Sequence, residues 1–246
     1  MPMSAADFLA RRYNAMTGFP GRIDNVAKMI EPWVRQWSVH VALDAGCGGG
    51  ALMFALDRLG VEVIGLDLSE SMLRLALDNA RAAGKTFQFC GAPFRSAGAI
   101  FPERFDAVFV LGNALIGHET NAEMTESLRG LHASLKPGGH VLIQNLNPTP
   151  FFLGLKRVIN RRIDGDTRYL RYAVPINSDH LFFSVIVDGP GDTIDISAHT
   201  WALWDRDRLG ACLDTAGFAK IETYGGINRS PYGPRVSTDL VLSAQK

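Results

Sequence analysis

Apolar runs and amphipathic stretches alternate through the middle of this chain. Short apolar runs fall near residues 40–44, 61–66, 86–90, 105–111 and 140–146. Between them, stretches near 50–59, 70–83 and 121–135 carry apolar residues at helical spacing. Continuous apolar strands alternating with helices predict a parallel sheet covered on both faces. Residues 4–37 read as two helices around a turn at Thr17-Gly18-Phe19-Pro20-Gly21. In the second, Val26, Met29, Ile30, Trp33, Val34 and Trp37 recur at helical spacing, as expected of a lid or brace over the core.

The alternation breaks at Pro148-Thr149-Pro150. Phe151–Ile163 is predicted to be helical, and Leu181–Val187 and Thr193–Leu203 to form a hairpin around Asp188-Gly189-Pro190-Gly191-Asp192. Asp205 or Asp207 is placed to cap a helix running to about Ala216, which Gly217 stops. Residues 219–224 and 236–244 read as two final strands. The link Gly225–Pro234, rich in Gly, Pro and Asn, is positioned to overhang a site. The expected layout is one domain over 1–246: a helical lid (1–38), a core (39–147), an inserted substrate cap (148–203), and a last helix with a strand pair (204–246).

Composition narrows the class. A chain of 246 residues with 47% apolar content can bury one full core. Its 25 basic and 25 acidic residues cancel, so no global charge draws it to nucleic acid or membrane. Cys47, Cys90 and Cys212 are odd in number and unpaired in spacing, which suits a reducing, cytoplasmic setting. The opening Met1-Pro2-Met3-Ser4 lacks the basic and apolar regions of a signal peptide, and no stretch approaches a membrane span. No Cys-x-x-Cys or His-x-x-x-His pattern occurs, so no metal is expected.

The chemistry-bearing stretch is Val41-Ala42-Leu43-Asp44-Ala45-Gly46-Cys47-Gly48-Gly49-Gly50, followed by a helical pattern over 51–59. Glycines let the backbone turn sharply between strand and helix, and the free N–H groups of the new helix face a ligand. Gly46-x-Gly48-x-x-Ala51 fits a dinucleotide fingerprint. Asp44-x-Gly46-x-Gly48-x-Gly50 fits a second pattern, and a tight turn without ligand is the third reading. Asp67 ends the next apolar run, 21 residues after Gly46, where a carboxylate accepts from ribose hydroxyls. Gly46, Asp67, Cys90–Phe94, Leu111–Asn113 and Asn145–Asn147 all fall at predicted strand ends, the rim where such sheets bind ligands.

Together these residues resemble the class I S-adenosylmethionine (SAM) methyltransferases. The first motif is the acid and three glycines from Asp44. Asp67-Leu68-Ser69-x-x-Met72-Leu73, Phe105-Asp106-Ala107-Val108 and Leu135-Lys136-Pro137-Gly138-Gly139 look like the family's later turns and fourth strand. The likeness covers 39–147 and the C-terminal strand pair. It implies a Rossmann-like α/β doubly wound sheet, mostly parallel with an antiparallel C-terminal strand. It implies SAM as cofactor and S-adenosyl-L-homocysteine as product. Leu111-Gly112-Asn113 is closer to glycine N-methyltransferase and related small-molecule enzymes. That resemblance puts Arg22 on the SAM carboxylate, Ala92, Pro93 and Phe94 beside adenine, and Asn147 facing the acceptor. Asp44, Gly46, Cys47, Gly48, Asp67, Leu68, Met72, Leu111 and Asn113 complete the implied cofactor set. The chain departs from the pattern at Cys90-Gly91-Ala92, where an acid is common, and at His118, one residue from the family histidine.

SAM carries an activated methyl, so alignment of the acceptor supplies much of the catalysis, of order 7–11 kcal/mol in well-aligned systems. His118, with Glu119 beside it, is the candidate base; the plainer reading is a loop polar pair. Tyr13 is placed to close over the reacting groups and Asn147 to position the acceptor, or each packs or turns the chain. His132, His140, His180 and His199 read as structural. Arg168 and Arg171 are candidates for an acceptor carboxylate. They end a basic run with Lys156, Arg157, Arg161 and Arg162, whose other meanings are a solvated face or RNA phosphate contact. The expected activity is methyl transfer to nitrogen, rather than oxygen, of a small polar molecule. An RNA methyltransferase, a non-catalytic SAM-binding regulator and an NAD-dependent oxidoreductase are the alternatives.

Overall fold

The structure, a computed structural model, describes residues 5–191 and 193–246. Ser4 and Asp192, included above in the first helix and the hairpin turn, and the opening residues read for a signal peptide lie outside the described residues. Two helices, α1 (Ala5–Thr17) and α2 (Ile23–Gln36), precede an alternating core. The core runs β1 (Val41–Ala45), α3 (Ala51–Arg58), β2 (Glu62–Asp67), α4 (Glu70–Ala82), β3 (Gln88–Gly91), α5 (Ala97–Ile100), β4 (Phe105–Val110), α6 (Asn121–Ser134) and β5 (Leu135–Leu146). After α7 (Thr149–Phe152) come β6 (Val158–Asp164), β7 (Thr167–Pro175), β8 (His180–Gly189) and β9 (Thr193–Ala202). The chain closes with α8 (Arg206–Thr215), β10 (Ala219–Tyr224) and β11 (Asp239–Gln245).

Seven strands form the central sheet in the order β10-β11-β5-β4-β1-β2-β3. The five core strands are parallel, and β11 enters antiparallel beside β5. Each face carries its own apolar layer. Leu43, Val108, Val141 and Ile143 pack toward α6 and α8, while Ala42, Ala107, Phe109 and Leu142 pack toward α2 and α3. This is the Rossmann-like doubly wound sheet that the family resemblance implies, with the parallel strands covered on both faces that the alternating pattern predicts. Local chemistry agrees: Ser69 caps α4 by accepting from Met72 N–H, and Thr120 and Glu123 form a capping box on α6. Lys136–Gly139 is a bulge within β5 rather than a turn ahead of it. Phe105 pairs with Leu135 and Ala107 already with His140, so the residues between loop out at Gly138, φ 78°.

The inserted segment departs from expectation. Helix is confined to Thr149–Phe152, and residues predicted helical to Ile163 instead form β6. Asp164 pairs with Thr167 around Gly165-Asp166, with Gly165 at φ 56°, a two-residue hairpin signal that outweighs the weak helical spacing. β6, β7, β8 and β9 make a second, wholly antiparallel sheet. One face packs Tyr169, Phe183, Val185 and Val187 against Phe8 and Met16 of α1. So α1 belongs to the second sheet as much as to the core. Arg162 Nε donates to Ala15 O at 2.6 Å, and Arg12 ion-pairs with Asp195. On its other side α1 is tied to α4 by reciprocal amide bonds between Asn14 and Asn79, 2.7 and 3.2 Å.

No described helix is long and apolar enough to cross a membrane. Among the described residues no His, Cys, Asp and Glu cluster is arranged for a metal, and the three cysteines are free thiols.

Candidate active site

The β1–α3 turn is built by left-handed backbone. Gly46, Gly48 and Gly50 have φ of 81°, 51° and 85°. A side chain there is strained, and it also has nowhere to go: a Cβ on Gly46 would collide with Ala114, and one on Gly48 would stand 3.1 Å from the Tyr13 hydroxyl. Asp67, at the end of β2, holds the turn. Its Oδ2 accepts from Gly48 N–H and its Oδ1 from Ser69 N–H, both at 2.9 Å. Each carboxylate oxygen keeps a lone pair free for a ligand hydroxyl. Burial raises the Asp67 pKa, against the pull of those backbone bonds.

Above this turn lies a cavity of about 460 Å³. Gly46, Gly48, Asp67, Leu68, Met72, Ala92, Pro93, Phe94, Leu111 and His118 line it. A second recess of about 90 Å³ adjoins it, lined by Arg22, Asp44, Cys47 and Gln144. Tyr13 and Leu111 wall both. Thus α1 drops one aromatic side chain between a larger and a smaller chamber. The residues expected around a cofactor converge here from the start of α2, the ends of β1, β2, β3 and β4, and α4, with one exception, Asn113.

Buried titratable groups are concentrated in the smaller recess. Asp44 is 3% exposed, and its Oδ2 has no hydrogen-bond partner among the described residues. Its pKa is pushed up to about 8 by burial and by the Asp67 charge, with Arg22 opposing. Burial raises Tyr13 too, while the charges of Arg22 and Arg171 lower it. Burial pushes the Cys47 thiol up, so it stays protonated.

Several expected roles are corrected. His118 is at the cavity, but both ring nitrogens are engaged: Nδ1 lies 2.9 Å from Leu115 O and Nε2 2.7 Å from Ser127 Oγ. The carbonyl requires the proton on Nδ1, a neutral ring then accepts from the serine at Nε2, and neither nitrogen is free toward the cavity. Asn113, at φ 71°, spends its carbonyl on Leu146 N–H at 2.5 Å and is a turn residue. Asn147 is fully buried. Its Nδ2 donates to Pro234 O and Ser237 O at 2.8 Å, and its Oδ1 accepts from the Tyr232 hydroxyl at 3.2 Å. It pins the link before β11 instead of facing the cavity.

Strand parity separates the two arginines. Arg171 shares a face of β7 with Tyr169, turned toward α1, and its Nε donates to Asn160 at 2.6 Å. Arg168 is on the opposite face, 74% exposed and paired with Asp188. The basic run is divided the same way. Arg162 and Arg171 face α1, Arg161 and Arg168 face away, and no continuous basic stripe forms. Gln144, absent from the sequence expectations, joins the recess: Oε1 accepts from Gly112 N–H at 2.7 Å and Nε2 donates to Asp239 at 3.0 Å. Period-two alternation along β5 was the signal for it, hidden by an otherwise apolar strand.

Comparison with known proteins agrees with this geometry. Residues 42–139 match a family described as methyltransferase domain. A ubiquinone biosynthesis O-methyltransferase of Ruegeria pomeroyi is 31% identical over 67% of this chain and 68% of its own length. Other relatives of that name are covered over 41% to 63% of their own length. A SAM-dependent methyltransferase from Clostridium acetobutylicum superposes at TM-score 0.79, with 13% identity over 98% of this chain and 99% of that one. SAM-bound CalS10, an amino pentose methyltransferase from Micromonospora echinaspora, gives 0.68 at 18% identity over 91% of each chain. The chain belongs to the class I SAM-dependent methyltransferases and is an enzyme of that class, with SAM as its cofactor. The narrower likeness to glycine N-methyltransferase is not borne by the family or relatives matched. The fit to SAM is local and physical. The glycine turn leaves no room for a Cβ, and Asp44 presents an unpaired buried oxygen to the recess.

Proposed function

We propose that this enzyme methylates a nitrogen of a small polar molecule held between the core rim and the second sheet, which acts as a substrate cap over 148–203. The supporting observation is the setting of Tyr13, at the junction of the two chambers with Arg22 and Arg171 both acting on it. In this reading Asp67 accepts from the ribose hydroxyls, Phe94 and Pro93 flank the adenine, and Arg22 meets the carboxylate of the methionine part. When bound, SAM supplies a methyl already activated on a sulfonium. Tyr13 closes over the reacting groups and excludes water, and Arg171 takes an anionic group of the acceptor. An ammonium is disfavoured between two guanidinium groups, so an amine there stays neutral and nucleophilic without a dedicated base. That accords with His118 having no free nitrogen.

Oxygen is the second reading. The same positive field favours an oxyanion, and the Ruegeria relative is named an O-methyltransferase. RNA is less well supported, because the basic run is split between two faces of the second sheet. The test is transfer of labelled methyl to matched pairs such as 4-aminobenzoate and 4-hydroxybenzoate, each with a carboxylate for Arg171. Label in the amines supports the proposal. Label confined to the hydroxyl partners replaces nitrogen by oxygen. Transfer to RNA alone, falling steeply with salt, overturns both.

A further inference from the structure

Asn145 is 1% exposed, and neither Oδ1 nor Nδ2 has a partner among the described residues. Such groups are normally paired, because an unpaired buried amide forfeits its hydration for nothing. It faces a recess outside the cofactor chambers, walled by Ile116, Pro148, Leu181, Trp201 and Trp204. The walls come from four places: the loop after β4, the exit from β5, the inner face of the second sheet and the link between β9 and α8. Two indoles and three aliphatic or cyclic walls around one amide make an apolar pocket with a single polar address.

Its position ties it to the acceptor. Ile116 walls this recess while Ala114 and Gly117 wall the main cavity, so the turn 112–117 is the partition. Gly112, at φ 71°, and Gly117 flank that turn with open space around each. On the second sheet Arg171 pairs with Val185, Ala173 with Phe183, and Pro175 with Leu181. Leu181 and Trp201 sit opposite each other on the same face. The recess is therefore about 13 Å along β7 from Arg171, at roughly 3.3–3.4 Å per residue. It encloses about 20 Å³ as it stands, so admitting a ring requires the glycine-flanked turn to move.

We propose that this recess is a distal acceptor subsite, which rests on the reading that the acceptor lies under the second sheet. It takes a planar aromatic ring bearing one group that both gives and accepts a hydrogen bond, as a carboxamide does. Asn145 satisfies both atoms of that group, and Trp201 and Trp204 flank the ring. The acceptor is then elongated, with its reacting end at Tyr13 and its ring beyond Ile116.

The probe is benzamide, titrated by tryptophan fluorescence into full-length protein saturated with S-adenosylhomocysteine. A fragment of this size binds at roughly millimolar strength in a fitted pocket. Asn145→Leu should weaken it about tenfold through two lost hydrogen bonds, with S-adenosylhomocysteine affinity unchanged. Asn145→Asp, nearly isosteric, should weaken it similarly and covers the case in which the leucine variant does not fold. Toluene should bind wild type and Asn145→Leu alike. Benzamide should also inhibit methyl transfer competitively against the acceptor. Equal benzamide affinity in wild type and variants overturns the proposal, as does absence of binding to wild type or binding without inhibition. The titration needs no turnover, so a failed acceptor screen leaves it readable.

Discussion

Asp44 shows how a single residue couples site and stability. It is the next-to-last residue of β1, inside the apolar layer, with one oxygen unpaired and Asp67 nearby. A carboxyl whose pKa rises from 3.8 to about 8 on folding holds its proton more tightly in the folded chain. The stabilising difference is fully present at acid pH and is lost as pH rises toward 8. The ligand-free protein should therefore become less stable from about pH 5 to 8, by at most about 1.4 kcal/mol per pH unit from this group. Asp44→Asn should flatten that part of the profile in thermal denaturation. Parallel profiles for the two proteins would show that Asp44 ionises normally. The acid itself was legible from its place before the glycines. Its orphaned oxygen was not, since that depends on what α2 and β2 bring beside it.

At the scale of elements, caps are set by local partners. Asp205, one of the two caps expected for α8, accepts from a residue three positions on, as Ser69 and Thr120 do at α4 and α6. Asn147 illustrates the opposite case. Its amide reaches Pro234 and Ser237, some 90 residues away, and fastens the link before β11 to the end of β5. Asn147→Ala leaves those carbonyls and the Tyr232 hydroxyl without their partner, at a cost of about 1–3 kcal/mol. A chain of this size loses about 2–4 °C in Tm for each kcal/mol. Calorimetry should show that loss, with the acceptor KM little changed. A stable variant with a raised acceptor KM would restore the acceptor role read from the sequence. The hairpin β6–β7 was missed for a related reason. Gly165-Asp166 states the turn, but β-strand character in Val158–Asp164 emerges only once β7 lies beside it.

For the whole molecule, the second sheet decides which basic residues matter. Arg171 is turned inward toward Tyr13, and Arg168 outward into solvent. Arg171→Ala should raise the acceptor KM about tenfold or more, the value of a charge-assisted hydrogen bond, and leave SAM affinity nearly unchanged. Arg168→Ala should do neither, because an exposed ion pair contributes about 0–1 kcal/mol. Kinetics of both variants with the acceptor from the labelling screen check this. Equal effects at the two positions would mean that the sheet presents another face to the substrate.

The alternation of apolar runs by itself determined the doubly wound core, and acid and glycine spacing determined where its cofactor rim lies. Those signals are local: a strand's burial, a turn's left-handed glycines and a helix's cap are set by neighbours in the chain. Tertiary structure alone decided what the polar side chains do. It closed both nitrogens of His118, drew Asn113 and Asn147 into the scaffold, and left Asn145 unpaired in a recess between two sheets. A side chain's hydrogen-bond partners and the face it shows depend on register and on packing between segments far apart in sequence. No window along the chain contains them.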